Sequence, residues 1–253
     1  MEIPVLLAIL ATIAIGTYFQ TVTGFGLGII VIGLTVSLNL VSLPVIAAVV
    51  SIVTLFNCLV ALVGKPLKGE LKIMLALVVG IVPGVMAGVY LLDELSASAT
   101  SIMRGMLGLM ILGAGLNFMF KPKTLENRSA STSFLFSGFG SGLAGGLFGM
   151  AGPPIVYHLY KQPFSIELVR STLLMVFACT SASRTAYVYL DGSLESNILL
   201  LSAVAIPLVT GVTIIARRFP PPLSNQQLRK LVFSVLLMIG SYLIIASLLS
   251  LQV

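Results

Sequence analysis

Runs of about 20 apolar residues recur along the whole chain, separated only by short polar turns. Each such run is long enough to cross a bilayer as a helix, so the pattern predicts an all-α, polytopic integral membrane protein. Clear spans are expected at about 44–64, 71–92, 100–120, 168–190, 197–216 and 230–250. Two apolar regions remain, about 3–40 and 132–160, giving about eight or more helices in all. The longest polar loops, near 121–131 and 217–229, run to only about ten residues, too short for an extramembrane domain.

Each of the two remaining regions holds a glycine-rich phrase. The first is Thr23-Gly24-Phe25-Gly26-Leu27-Gly28. The second is Gly145-Gly146-Leu147-Phe148-Gly149-Met150-Ala151-Gly152, followed by Pro153 and Pro154. A membrane helix gains nothing from so much glycine unless its backbone breaks or approaches something closely. Breaks at matching places in two halves are how many secondary transporters build a substrate site.

Loop charges set the expected orientation. Lys65, Lys68 and Lys72 mark one cytoplasmic loop, Lys121, Lys123 and Arg128 the next, and Arg217, Arg218, Arg229 and Lys230 a third. Asp93 with Glu94, and Asp191 with Glu195, lie in loops without Lys or Arg and are placed outside. The region 132–160 must then enter and leave on the cytoplasmic side. It has about 29 residues, against about 40 for two full helices, so a re-entrant hairpin or a pair of half-helices is expected. A single crossing would put Arg217 and Arg218 outside. The region 3–40 is longer and fits two short spans; it too returns to its starting side, which places the N-terminus outside.

The halves then run in opposite directions. Phe25-Gly26 corresponds to Phe148-Gly149, Pro83 with Gly88 to Pro207 with Gly211, and Arg104 to Arg229. These matches predict an inverted repeat in one compact membrane domain, residues 1–125 and 126–253, with a substrate site near the midplane.

Composition agrees. The chain is 58% hydrophobic and 9% charged, with no polar face for a soluble domain of this size. Its net charge of +6 does not point to nucleic acid, because the basic residues sit in short loops between apolar runs. The start, Met-Glu-Ile-Pro, has no Lys or Arg before the apolar run, which argues against a cleaved signal peptide. Cys58 and Cys179 fall inside predicted spans and read as small core residues, not a disulfide or metal site. No cofactor is implied.

At the glycine phrases the chain resembles the sulfite exporter TauE/SafE family, over essentially its whole length. That family carries a glycine-rich phrase near the start of each of two homologous halves. Gly146-Leu147-Phe148-Gly149-Met150-Ala151-Gly152-Pro153 matches the second, with Ala151 in place of a glycine. Gln162-Pro163-Phe164-Ser165-Ile166-Glu167 is also similar to the family. The first phrase matches less closely and lacks a following proline. The resemblance implies transport of small anions, often sulfite or organosulfonates, commonly outward.

Several residues could hold an anion. A broken helix exposes N–H groups and positive half-helix ends. Gly24, Gly26, Gly28, Gly149 and Gly152 would let an anion approach the backbone; the competing reading is close helix packing. Gly80, Gly84 and Gly88, at four-residue spacing, read as packing glycines. Arg184 is the one charged residue well inside a predicted span, with no acid in those six spans to pair with it. A bound oxyanion would supply the charge; alternatively the side chain snorkels to the outer interface. Gln20, Thr21, Thr23, Asn57, Thr180, Ser181 and Ser183 can donate to an oxyanion, though Ser and Thr in membrane helices usually bond their own backbone. His158 could couple transport to protons, against a bland interfacial role. Arg170 faces the cytoplasmic interface, where it could guide anions. Phe25 and Phe148 occupy matching places and could gate the site.

The sequence thus predicts a secondary transporter of a small anion in the cell membrane (the inner membrane in a bacterium), working by alternating access. Its partners are that anion and the lipid bilayer; homo-oligomerisation is left open. A passive anion channel, or a carrier of another organic anion such as a carboxylate, would share the same residues. An enzyme is not expected: the chain has one histidine and no acid in its core for a nucleophile–base pair or metal cluster.

Overall fold

The computed structural model describes residues 2–64, 71–98, 100–119, 124–219, 221 and 225–250. Among them the chain is all helical: α1 (Ile3–Thr23), α2 (Leu27–Ser37), α3 (Leu43–Leu62), α4 (Leu71–Ser98), α5 (Thr100–Met119), α6 (Ser131–Phe148), α7 (Gly152–Lys161), α8 (Ile166–Leu190), α9 (Ser196–Arg218) and α10 (Asn225–Ser250). Prolines in the first turn open α1, α3 and α7, where a missing N–H costs nothing. Ser165 caps α8 by accepting from the Leu168 N–H at 3.2 Å.

Among the described residues, five helices are long and apolar enough to cross a membrane: Ile3–Thr23, Leu43–Leu62, Lys72–Leu95, Ile166–Leu190 and Ser196–Arg218. The apolar stretches Ser101–Leu116 and Phe233–Leu249, within α5 and α10, are shorter. Two expectations change. The region 3–40 is not two short spans but one full-length helix followed by a half-helix, because nothing interrupts the apolar run before Gly24. Asp93 and Glu94 are not in a loop; α4 continues through them to Ser98. Lys65, Lys68, Lys121 and Lys123 lie outside the described residues, as do the side chains of Arg229 and Lys230.

Both glycine phrases break the chain. Gly24 and Gly26 sit at φ 91° and 118°, and Gly149 at φ 65°, a region in which an L side chain is strained. After each break a half-helix folds back along the long helix before it. A Cβ at Gly16 of α1 would lie 3.0 Å from Val31 of α2. On the other hairpin, the Ser141 hydroxyl of α6 donates to the Ala151 carbonyl. This second hairpin starts and ends at the same place. The Leu125 N–H donates to the Lys161 carbonyl at 2.9 Å, and the Ser129 N–H to Gln162 Oε1 at 2.9 Å.

The tightest helix pair is α4 with α6, and glycine makes it. Cβ atoms at Gly80, Gly84 and Gly88 would lie 2.2, 2.4 and 2.4 Å from the carbonyls of Leu135, Phe139 and Leu143. Those at Gly138, Gly142 and Gly146 would lie 2.6, 2.4 and 2.4 Å from the carbonyls of Leu77, Ile81 and Val85. Paired numbers rise together, so the helices run parallel, backbone against backbone. The packing reading of Gly80, Gly84 and Gly88 holds. Their partners on α6 carry the same four-residue spacing. A second glycine contact joins α5 to α10, where Gly108 and Gly240 each face the other's carbonyl at 3.0 Å.

Gly84→Val or Gly142→Val should therefore force α4 and α6 apart, costing about 1–3 kcal/mol or more by overpacking. Gly113→Ala and Gly211→Ala, whose side chains would meet nothing within 4 Å, should not destabilise the protein and should raise its stability by up to about 1 kcal/mol. Thermal unfolding of the purified protein in one detergent checks both.

Candidate functional site

The two breaks touch each other. A Cβ at Gly28, in the first turn of α2, would lie 2.8 Å from Met150 Cβ and 3.3 Å from the Gly149 carbonyl. One at Gly152, in the first turn of α7, would lie 3.4 Å from Ile29. Between them is a narrow cavity lined by Gln20, Gly26, Gly28, Ile29, Ser51, Thr54, Gly145, Gly149–Gly152, Phe177, Thr180 and Ser181. The space open to the centres of water-sized spheres is about 20 Å³. At roughly 10–15 Å³ for each water, that is room for one or two.

Of the sequence-predicted residues, Gln20, Gly26, Gly28, Gly149, Gly152, Thr180 and Ser181 line this cavity. Thr21, Thr23, Gly24, Phe25, Asn57, Phe148, Ser183 and Arg184 do not. Most of these support the breaks. Asn57 is fully buried and fully used. Its Nδ2 donates to Thr21 Oγ1 at 2.9 Å and Thr213 Oγ1 at 2.8 Å, and its Oδ1 accepts from Gln20 Nε2 at 2.8 Å. It thereby ties α1, α3 and α9 together beside the first break. Gln20 Oε1 accepts from the Leu27 N–H at 3.2 Å, which satisfies one of the orphan donors at the start of α2. The Thr23 hydroxyl lies 2.8 Å from the Phe19 carbonyl and 2.7 Å from the Phe25 carbonyl, and its single proton is donated to one or the other. Phe25 and Phe148 are core side chains, each 3% exposed.

Gly24 and Gly149 are each pressed against the other half. A Cβ at Gly24 would lie 3.2 Å from Arg170 Cγ on α8; one at Gly149 would lie 2.8 Å from the Ala47 carbonyl on α3. Bulk at either place would collide, and the left-handed backbone would resist it as well.

Arg184 does not snorkel: it is 2% exposed, among the largest buried side chains. Its Nε donates to the Gly146 carbonyl at 3.1 Å, and one terminal nitrogen reaches Ser51 Oγ at 3.5 Å. Ser51 lines the cavity, so the guanidinium stands one hydroxyl behind it. Asp93, just beyond the predicted span 71–92 on the longer α4, acts on Arg184 electrostatically. His158 is not brought to the cavity. It packs edge-on to Phe134, ring centroids 4.7 Å apart, and its Nε2 is buried without a partner.

Sequence reasoning missed Ser51, Thr54 and Phe177. Thr54 matters most, because its Oγ1 is buried with no hydrogen-bond partner. Ser51, Thr54 and Asn57 recur at three-residue spacing on α3, and that spacing was a usable signal. Phe177 likewise stands one turn before Thr180 and Ser181.

What this arrangement offers is a set of neutral donors. The N–H groups of Gly28 and Ile29 fall in the first turn of α2, where no helical acceptor exists. At the start of α7, Pro153 and Pro154 have no N–H, leaving that of Gly152. The hydroxyls of Thr54 and Ser181 complete the set, with Arg184 behind; those of Ser51 and Thr180 line the cavity but donate to the carbonyls of Ala47 at 2.8 Å and Val176 at 2.9 Å. No acidic residue lines the cavity. Such a site suits a small oxyanion.

Residues 8–243 match the model of the family described as sulfite exporter TauE/SafE. The chain is also similar to a protein of Cupriavidus necator named "Probable sulfite/organosulfonate exporter TauE", 42% identical over 240 residues, which is 95% of this chain and 94% of that one. No solved structure matches it. With the match running through both glycine breaks and most of the bundle, the chain belongs to the TauE/SafE family of membrane transporters.

Proposed function

We propose that the protein is a secondary transporter in the cell membrane that exports a small anion, sulfite or an organosulfonate, by alternating access around the cavity between the two breaks. The observation that carries this reading is the cavity itself: two half-helix starts, buried hydroxyls and a buried guanidinium converge on it with no acid among its lining residues. The printed name of the Cupriavidus relative supports the substrate class.

An inverted repeat of residues 1–125 and 126–253 accounts for the packing. Both halves run long helix, half-helix, then three long helices. The long arm of each hairpin packs on the other half's fourth helix, α1 on α9 and α6 on α4, while α3 packs on α8 between them. The fourth helices carry matching internal prolines, Pro83 and Pro207. In this reading the ends bearing Lys72, Arg128, Arg217 and Arg218 face the cytoplasm. Arg217 donates to the last carbonyls of α3, Val60 at 2.8 Å and Val63 at 2.9 Å, so those two helix ends lie together.

A carrier and a channel share these residues; saturation at low substrate and counterflow in proteoliposomes mark the carrier.

Thermal shift in detergent tests the reading, using sulfite, sulfate, thiosulfate, sulfoacetate, taurine, acetate and oxalate. Sulfite or a sulfonate should stabilise the protein, by about 2.7 kcal/mol at a hundred times its dissociation constant. Stabilisation by acetate or oxalate alone would move the assignment to carboxylates. Thr54→Val should weaken that ligand's binding by about tenfold, the worth of one hydrogen bond to a charged group, while the apo protein stays at least as stable. Arg184→Ala should abolish transport in proteoliposomes while folded protein still reaches the membrane; full activity would remove Arg184 from the mechanism.

A further inference from the structure

Arg170 lies on the same stripe of α8 as the cavity. Phe177, Ser181 and Arg184 follow it by seven, eleven and fourteen residues, spacings that return to nearly one helical face. Phe177 and Ser181 line the cavity, and Arg184 stands behind it. Arg170 is therefore about 10 Å along the axis before Phe177, and Arg184 about 10 Å beyond. The two arginines bracket the cavity along one helix.

Three features single out Arg170. Arg170 is half-buried, and its buried Nε has no hydrogen-bond partner. An oxyanion with two free oxygens can satisfy Nε and a terminal nitrogen together. Its stem is held by the first break: Gly24 leaves no room for a side chain, since a Cβ there would lie 3.2 Å from Arg170 Cγ and 3.3 Å from its Cα. The stem, as far as Cγ, thus packs directly on the first break. Finally, the matching place in the other half, against Gly149, holds Ala47 and no cation. The station exists on one side only.

We propose that Arg170 is an oxyanion-binding station at the α8 N-terminal end of the bundle, where the anion pauses before passing the first break into the cavity. This rests on the anion-transport reading and adds to it a residue and an asymmetry. Affinity from the Arg170 side exceeds affinity from the opposite side, as suits a carrier that collects a dilute anion on one face and releases it on the other.

The test is uptake of radiolabelled sulfite into phosphatidylcholine proteoliposomes whose protein orientation is resolved by a side-specific protease. Wild type is compared with Arg170→Met, which keeps the stem, and Arg170→Lys, which keeps the charge. Arg170→Met should raise the half-saturation concentration about tenfold or more from the Arg170 side, leaving the maximal rate, the opposite side and the unfolding temperature unchanged. Arg170→Lys should recover part of the loss. Unchanged half-saturation in Arg170→Met overturns the station, and so does an equal loss from both sides, which marks a structural role. A defect seen only when phosphatidylglycerol is added assigns the guanidinium to a lipid phosphate, and that too overturns it. No sulfite uptake by wild type from either side overturns the transport reading itself, and the station with it.

Discussion

A helix interrupted inside a bilayer leaves N–H and C=O groups that no water can reach, so the break survives only where protein satisfies and buries it. The packing around both breaks answers that requirement. The Gly24 N–H donates to the Gln20 carbonyl at 2.7 Å, and the Gly149 N–H to the Gly145 carbonyl at 2.9 Å. Gln20 and Thr23 take up groups at the first break, and Ser141 does so at the second. Asn57 then holds Gln20 in place and binds three helices to one another. The donors left over at the helix starts face the cavity, which is how a structural requirement becomes a binding site.

The breaks also need a rigid frame. Lipid supplies no hydrophobic force between helices, so close van der Waals contact must do so. Six glycines press α4 against α6 with backbone touching backbone. That contact carries the second hairpin, and Gly146 at its end gives the carbonyl that fixes Arg184 Nε. One glycine row thus packs the bundle and orients the buried guanidinium.

Arg184 and Arg170 illustrate how tertiary structure separates like residues. Both are arginines of α8 on one stripe. Arg184 is enclosed, bonded and within the field of Asp93. Arg170 has a buried Nε with no hydrogen-bond partner. Under the proposed function the first orients the cavity's donors and the second meets the anion on its way in.

The helical, membrane-embedded class and both breaks were legible in the sequence, because apolar run length and clustered glycine express local constraints. Residue-level placement was not, since it depends on which helices meet. Asn57 and Thr23 are polar residues of the expected kind, yet packing turns Asn57 toward the side chains of Gln20, Thr21 and Thr213 and Thr23 toward the backbone; Ser51 and Thr54 were passed over, yet both line the cavity. Asp93 became a neighbour of Arg184 only because α4 runs on beyond its apolar core. Hydropathy determined by itself that this chain lives among helices in lipid and that it breaks at Gly24–Gly26 and Gly149. Tertiary structure decided that the two breaks touch, because only the packing of one half against the other brings positions half a chain apart within van der Waals contact.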